Sequence, residues 1–286
     1  MSERALVVGA DGLIGSALAG ALARAGTPAL ATTRRREHAG ADRLFLDLAD
    51  KPQKWPRLEE VSVAYLCAGA TSVEKCERDP AGTARVNVAG TLALAQRLRA
   101  LGAFVVFLST NIVFDGSSAR ARATDEPSPR SEYGRQKLAV ERGLLRAAPP
   151  AAVVRLTKVL GPKPPLFMGW LERLRAGRAV EPFADKVMAP VPLPFAVDAL
   201  LRVGGKRLAG VTQVSGPEDA SYADIARFLA KNAGVDSALV RPVAARGEKL
   251  APALAPAHTA LDTSRLQGEL GMNPPDIWST IAWSIS

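Results

Sequence analysis

The chain is poor in three things, and each shortage excludes something. It has only two cysteines and two histidines in 286 residues. Cys67 and Cys76 stand nine apart and make no metal or redox motif. Two histidines leave a zinc site without its usual ligands, so no metal is expected. Cys67 closes an apolar run and reads as a small buried residue. Aromatic residues make up 5%, and none interleaves with basic residues as a single-strand binder requires. Lys and Arg exceed Asp and Glu by 37 − 28 = 9, but the excess is scattered. The expectation is therefore an anionic small molecule as ligand rather than nucleic acid. No apolar run reaches the length of a membrane span, and "MSERALVVGA" is too short and too soon interrupted for a secretory signal. A cytoplasmic protein with no membrane partner is expected.

What is present is a core of Ala, Leu and Val, within a hydrophobic content of 48%. Runs of strand length (Ala5–Val8, Ala29–Thr32, Leu44–Leu46, Val61–Leu66, Phe104–Leu108, Val153–Leu156) alternate with helix-length segments (Ile14–Ala25, Ala81–Leu101, Ser131–Ala147). That alternation predicts an α/β fold, a doubly wound parallel sheet with ligands at the carboxyl ends of its strands. The pattern changes after Gly161. Proline-rich loops surround a short helix over Gly169–Ala176, a helix over Phe195–Val203, a strand over Gly210–Ser215 and a helix over Tyr222–Gly234. Arg241–His258 reads as a loop. The expected division is residues 1–160 for a nucleotide-binding domain and 161–286 for a smaller substrate-binding lobe.

"VVGADGLIGSAL" places Gly9, Gly12 and Gly15 between the first strand and the first helix. The first glycine permits a tight turn, the second lets backbone approach a ligand, and the third lets helix and strand close together. The helix N-terminus offers N–H groups and partial positive charge to a pyrophosphate. The spacing is G-x-x-G-x-x-G rather than the common G-x-G-x-x-G, and its position makes dinucleotide binding the expectation. Asp11, Leu13 and Ile14 would lie against the cofactor. An NAD site usually has an acid after the second strand. Here the strand runs into "ATTRRRE", and arginine suits a 2′-phosphate where an acid would repel it. NADP(H) is expected, with Arg34 the first choice and Arg35 the second. Asp47 and Leu48 follow the third strand and could contact the adenine, or Asp47 could cap the next segment.

"SEYGRQKLAVE" puts Tyr133 and Lys137 about one helical turn apart, facing the same way. An exposed ammonium beside the phenol would lower its pKa and fit it for proton transfer. Ser109 and Thr110 end the fifth strand, where a hydroxyl can hydrogen-bond a ligand oxygen.

Together, "GADGLIGSAL", "STNIVFDG" and "YGRQKLAVE" resemble the extended short-chain dehydrogenase/reductase superfamily, and most closely its dTDP-4-dehydrorhamnose reductase group. "CAGATSVEKCERDPAGTARVNVAGTLALA", "VVRLTKVLGP" and "GVTQVSGPEDASYADIARFLA" extend the similarity over most of the chain. The resemblance implies a Rossmann-type fold and reduction of a keto group, most simply on a nucleotide-linked 4-keto-6-deoxy sugar. It implies that Thr110 polarises the carbonyl, Tyr133 donates the proton, and Lys137 binds the nicotinamide ribose and tunes Tyr133. Ala68, Gly69, Ala70 and Asn87 would line the cofactor, as would Ser109. A homodimer is common in the superfamily. Asn111 stands where the group often has Asp, Ile112 where it has an aromatic, and Lys186 where a Gln is usual. "PPLFMGWLERL" lacks an expected Asn-Phe pair. Arg155, Lys158, Lys163 and Arg173 are candidate contacts for a substrate diphosphate. The alternatives are a sugar-nucleotide epimerase or dehydratase, and a non-catalytic NADP-binding regulatory subunit.

Overall fold

The computed structural model describes residues 4–245 and 255–286. Its strands are β1 (Arg4–Val8), β2 (Ala29–Thr33), β3 (Arg43–Phe45), β4 (Val61–Leu66), β5 (Phe104–Thr110), β6 (Ala152–Leu156), β7 (Val159–Leu160), β8 (Val187–Met188), β9 (Val191–Pro192), β10 (Gly210–Val214) and β11 (Ala220–Ser221). Its helices are α1 (Leu13–Arg24), α2 (Val73–Arg78), α3 (Pro80–Ala84), α4 (Thr91–Ala100), α5 (Glu132–Arg146), α6 (Pro165–Arg175), α7 (Leu193–Gly205), α8 (Tyr222–Asn232), α9 (Ser264–Leu270) and α10 (Ile277–Ile285).

The chain forms two compact units, each discontinuous in sequence. The first comprises Met1–Val113, Pro127–Arg155 and Ala196–Thr212; the second comprises Phe114–Glu126, Leu156–Phe195 and Gln213–Ser286.

Seven strands make one sheet in the order β10-β6-β5-β4-β1-β2-β3. β1 pairs in parallel with β2 and β4, β2 with β3, and β4 with β5. This is the expected doubly wound α/β sheet. The strand order reverses between β1 and β4, and ligands of such sheets sit beyond the strand carboxyl ends at that point. Every residue of β5 is buried. That is why "FVVFL" is a continuous apolar run rather than an alternating one: both faces of the strand are covered. Leu6, Leu66, Val105 and Phe107 from the strands pack with Leu98 of α4 and Val140 of α5.

The segment expected as one helix over 81–101 is broken. α2 and α3 precede a π-helical turn at Arg85–Gly90, and only then does α4 begin. Asp79 caps α3 by accepting from the Gly82 N–H at 2.9 Å. Thr91 Oγ1 donates to the Val86 carbonyl five residues back at 3.1 Å. A Cβ on Gly90 would strike the Leu48 carbonyl. Glycine at this position lets the backbone pass close to the loop after β3.

In the second unit β8 pairs with β11 antiparallel and β7 with β9 in parallel. Phe167 and Leu171 of α6, Ile225 and Leu229 of α8, and Ile277 and Ile281 of α10 form its main core. α6 starts four residues before the expected Gly169, since Pro165 is pre-shaped for the first helical position. Ser221 and Asp276 cap α8 and α10. Of the stretch expected as a loop over 241–258, Val243 makes a bridge to Phe183, and residues 246–254 lie outside the described residues. No helix among the described residues is long and apolar enough to cross a membrane.

Candidate active site

The three glycines of the β1–α1 turn serve different ends. Gly9 has φ +87°, and a Cβ there would lie 2.7 Å from the Ala68 backbone at the end of β4. A Cβ on Gly15 would strike the Gly9 carbonyl. Both positions are closed by the protein itself. Gly12 is not: its Cβ would meet only the Gly9 carbonyl, at an ordinary 3.5 Å. Gly12 is also the N-cap of α1 and brings no side chain to its N–H groups. Space and donors thus coincide at one exposed spot, which fits a pyrophosphate. Thr32 Oγ1 steadies the turn by accepting from the Gly9 N–H at 3.1 Å.

Beside the turn, Asp11 is already engaged. Its carboxylate accepts from Thr33 Oγ1 at 2.6 Å and from Arg43 Nη1 at 2.9 Å. These bonds tie the turn to β2 and β3. Arg34 and Arg35 are exposed just past β2, as a 2′-phosphate site requires. Arg36 is committed otherwise, with its guanidinium 3.9 Å from the Phe45 ring centroid. Leu13 is exposed at the start of α1, and Ile14 is half-buried.

The β4 loop, Ala68–Ala70, faces the turn through the Gly9 contact. Asn87 sets its shape. Asn87 Oδ1 accepts from the Ala70 N–H at 2.7 Å, and Nδ2 donates to the Ala70 carbonyl at 2.9 Å and to Gln136 Oε1 at 2.8 Å. The amide is buried and spent on the protein, so Asn87 bears on a cofactor through the loop it holds. Asp47 Oδ1 accepts from the Ala49 N–H two residues on, at 2.8 Å. Leu48 is buried in the sheet core.

Thr110 ends β5, and its Oγ1 accepts from the Ile112 N–H at 3.2 Å. α5 begins at Ser131, whose Oγ accepts from the Gly134 N–H at 3.1 Å. A Cβ on Gly134 would strike the Ile112 carbonyl. The "SEYG" start therefore does two things. Serine caps the helix, and glycine lets its first turn press against the loop after Thr110. Tyr133 and Lys137 share the inner face, with Nζ 5.8 Å from the Tyr133 ring centroid and 4.6 Å from that of Phe107.

Here two expectations are corrected. Lys137 is not exposed but 7% accessible, and its Nζ donates to the Leu108 carbonyl at 2.8 Å. Burial lowers its pKa to about 8. Tyr133 is also buried, and burial pushes its phenol well above the ordinary value. Burial thus pushes both groups toward their uncharged forms. The second correction is Arg155. Rather than meeting a substrate phosphate it is 3% exposed, and its Nη2 lies 2.7 Å from Glu141 Oε2. Ser109 also turns inward, donating to Glu141 Oε1. Adjacent strand residues point to opposite faces, so Thr110 alone carries its hydroxyl on the other side. Among the other cations, Arg173 donates to the Ala179 carbonyl in the chain just past its own helix. Lys186 lies 5.1 Å from the Tyr222 ring centroid.

Sequence reasoning missed Glu141, Arg43 and Gln136. For Glu141 a signal existed: it stands one turn beyond Lys137 and two beyond Tyr133 on one helical face. Among the described residues no group of three His, Cys, Asp or Glu is placed to hold a metal ion.

Residues 3–285 match the family model described as RmlD substrate binding domain. A dTDP-4-dehydrorhamnose reductase of Mycolicibacterium smegmatis is 31% identical over 97% of this chain and 83% of its own length. One of Streptomyces griseus is 32% identical over 96% of this chain and 90% of its own length. A crystal structure of dTDP-4-dehydrorhamnose reductase from Bacillus anthracis, in complex with NADP, superposes with a TM-score of 0.84 at 20% identity, covering 99% of each chain.

Proposed function

Because the chain belongs to the RmlD substrate binding domain family, we propose that it reduces the keto group of a nucleotide-linked 4-keto-6-deoxy sugar such as dTDP-4-dehydrorhamnose. It is an NADP(H)-dependent oxidoreductase. The observation that carries this reading is the buried Tyr133 with the Lys137 ammonium 5.8 Å from its ring centroid, on the helix that packs against the strand ending in Thr110.

The residues fit the cofactor. Gly12 leaves room over the uncapped start of α1 for a pyrophosphate. Arg34, with Arg35 behind it, supplies fork-shaped donors for a 2′-phosphate. When bound, NADPH supplies the hydride for the carbonyl carbon.

The chain's own residues do the rest. Thr110 Oγ1 donates to the carbonyl oxygen and withdraws charge from the carbon. Reduction of the carbonyl would leave negative charge on that oxygen. Tyr133 then transfers its phenolic proton to it. A raised phenol pKa suits this direction, because the donor must begin the reaction protonated, and the developing alkoxide is the stronger base. The Lys137 ammonium, in reach of the phenol ring, stabilises the phenolate that is left and offers donors to the nicotinamide ribose. The reading includes a homodimer, which light scattering behind a sizing column would report.

The test is consumption of NADPH by the purified protein in the presence of dTDP-4-dehydrorhamnose, with NMR of the product sugar. Stoichiometric loss of NADPH and a new hydroxyl at the former ketone are expected. A changed sugar without net NADPH loss would replace this reading with the epimerase or dehydratase one. Tight NADPH binding with no chemistry on any dTDP-4-keto sugar would favour the regulatory subunit.

A further inference from the structure

Behind the Tyr133–Lys137 pair lies a buried ionic group that proton transfer does not use directly. Glu141 sits one turn beyond Lys137 on α5 and is 1% exposed. Its carboxylate takes three donors from two strands. Arg155 of β6 binds it with Nε at 3.1 and 3.2 Å and Nη2 at 2.7 Å. Ser109 of β5 donates to Oε1. Ser109 immediately precedes Thr110, and the Leu108 carbonyl before it takes the Lys137 ammonium. One carboxylate thus connects the strand bearing Thr110 to the helix bearing Tyr133 and Lys137.

Among the described residues, the following titratable and aromatic groups act on the Lys137 ammonium, besides the Leu108 carbonyl that accepts from it. Tyr133 and Glu141 are on its own helix, Phe107 is on β5, Cys67 follows β4, and Cys76 is on α2. Burial raises the Cys67 thiol to about 12 and also raises that of Cys76. Both are uncharged at neutral pH, as is the Tyr133 phenol. Glu141 is then the anion that remains among them. A buried ammonium without an anion sheds its proton readily.

We propose that Glu141 is a positioning residue for the proton transfer proposed above: clamped by Arg155 and Ser109, it keeps the Lys137 side chain charged and fixes the end of β5 so that Thr110 and Tyr133 meet one carbonyl oxygen. Arg155 makes this possible, since a buried carboxylate without a partner would take up a proton instead. The inference rests on the reductase reading for its consequence in turnover, but its electrostatic core can be read without turnover.

The experiment is an NMR titration of protein labelled with carbon-13 at the lysine ε-carbons, with the Lys137 signal assigned by its loss in Lys137→Met. It compares wild type, Glu141→Gln, Arg155→Gln, and the double variant Glu141→Gln/Arg155→Gln. The double variant guards against an unfolded Glu141→Gln, since it leaves no Arg155 guanidinium unpaired where the ion pair stood. The Lys137 midpoint should fall by about one unit in Glu141→Gln, the usual effect of losing a neighbouring opposite charge, and by less in the double variant, where the Arg155 cation is lost as well. In Arg155→Gln it should fall too, because the buried carboxylate left without its partner takes up a proton. An unchanged midpoint in the double variant overturns the proposal. In parallel, the alkaline limb of kcat/KM for NADPH-dependent reduction of dTDP-4-dehydrorhamnose should move down with the NMR midpoint. A limb that stays while the midpoint falls would also overturn it. A shifted midpoint in a protein whose wild type does not turn over would sink the reductase reading and leave the electrostatic assignment standing.

Discussion

The glycine turn and the start of α5 lie in the same unit and work in opposite ways. At the turn, function is carried by backbone, and it depends on what is absent: no side chain over Gly12, no cap on α1, exposure to solvent. At α5 function is carried by side chains, and it depends on enclosure. Tyr133 and Lys137 are buried, and burial sets their protonation. The difference teaches that a candidate binding element shows in its spacing, whereas a candidate proton-transfer element cannot be judged until its solvent exposure is known.

The sharpest way to break the comparison is at the phenol. Tyr133→Phe removes the proton donor and no cofactor contact. Turnover should fall by about two to four powers of ten, while the NADPH dissociation constant measured by fluorescence titration should stay within a few-fold. Loss of both together would mean that the two regions are not separable.

Next is the exposed rim of the turn. Arg34→Asp replaces a charge-assisted contact with a repulsion. NADPH binding should weaken by about 10- to 100-fold, the value of one or two such hydrogen bonds, and NADH binding should barely change. Equal weakening of both would place the 2′-phosphate elsewhere. Arg36→Ala should matter much less, because that guanidinium lies on the Phe45 ring.

The pH dependence follows from the enclosed pair. The folded Lys137 pKa, about 8, is below its ordinary value of 10.5. Between those values the unfolded chain binds the proton and the folded chain does not, so this group's contribution to stability rises with pH there. Turnover does the opposite. kcat/KM should fall above about pH 8, close to tenfold per unit, as the ammonium is lost. A profile flat to pH 10 would mean that the charge on Lys137 is not used.

The smallest effects separate the glycines. Gly15→Ala drives a Cβ into the Gly9 carbonyl, and overpacking of this kind typically costs about 1–3 kcal/mol, seen as a lowered Tm without ligand. Gly12→Ala should leave the Tm within a degree or two while weakening NADPH binding. If Gly12→Ala lowers the Tm as much as Gly15→Ala, the middle glycine serves the fold and not a ligand.

Much of the sheet was legible because buried parallel strands are unbroken apolar runs. "FVVFL" and "VSVAYL" each announce one. The Tyr133–Lys137 spacing and the Ser131 start of α5 were legible for the same kind of reason, a fixed helical period. Three things were not. The π-helical break before α4 coincides with the close pass of Gly90 by the Leu48 carbonyl, a contact between distant segments. The inward turn of Ser109 and Arg155 depends on Glu141 across the interior. The α9 and α10 helices are short, and α10 is apolar nearly all round, so neither shows a clear one-sided stripe.

The most direct test follows label from the cofactor into the sugar. NADPH carrying deuterium at both C4 positions is mixed with the protein and dTDP-4-dehydrorhamnose, and the product is examined by mass spectrometry and NMR. One non-exchangeable deuterium should appear on the carbon that bore the ketone, for each NADPH consumed. A product without deuterium, or a converted sugar with the cofactor unspent, would contradict the account.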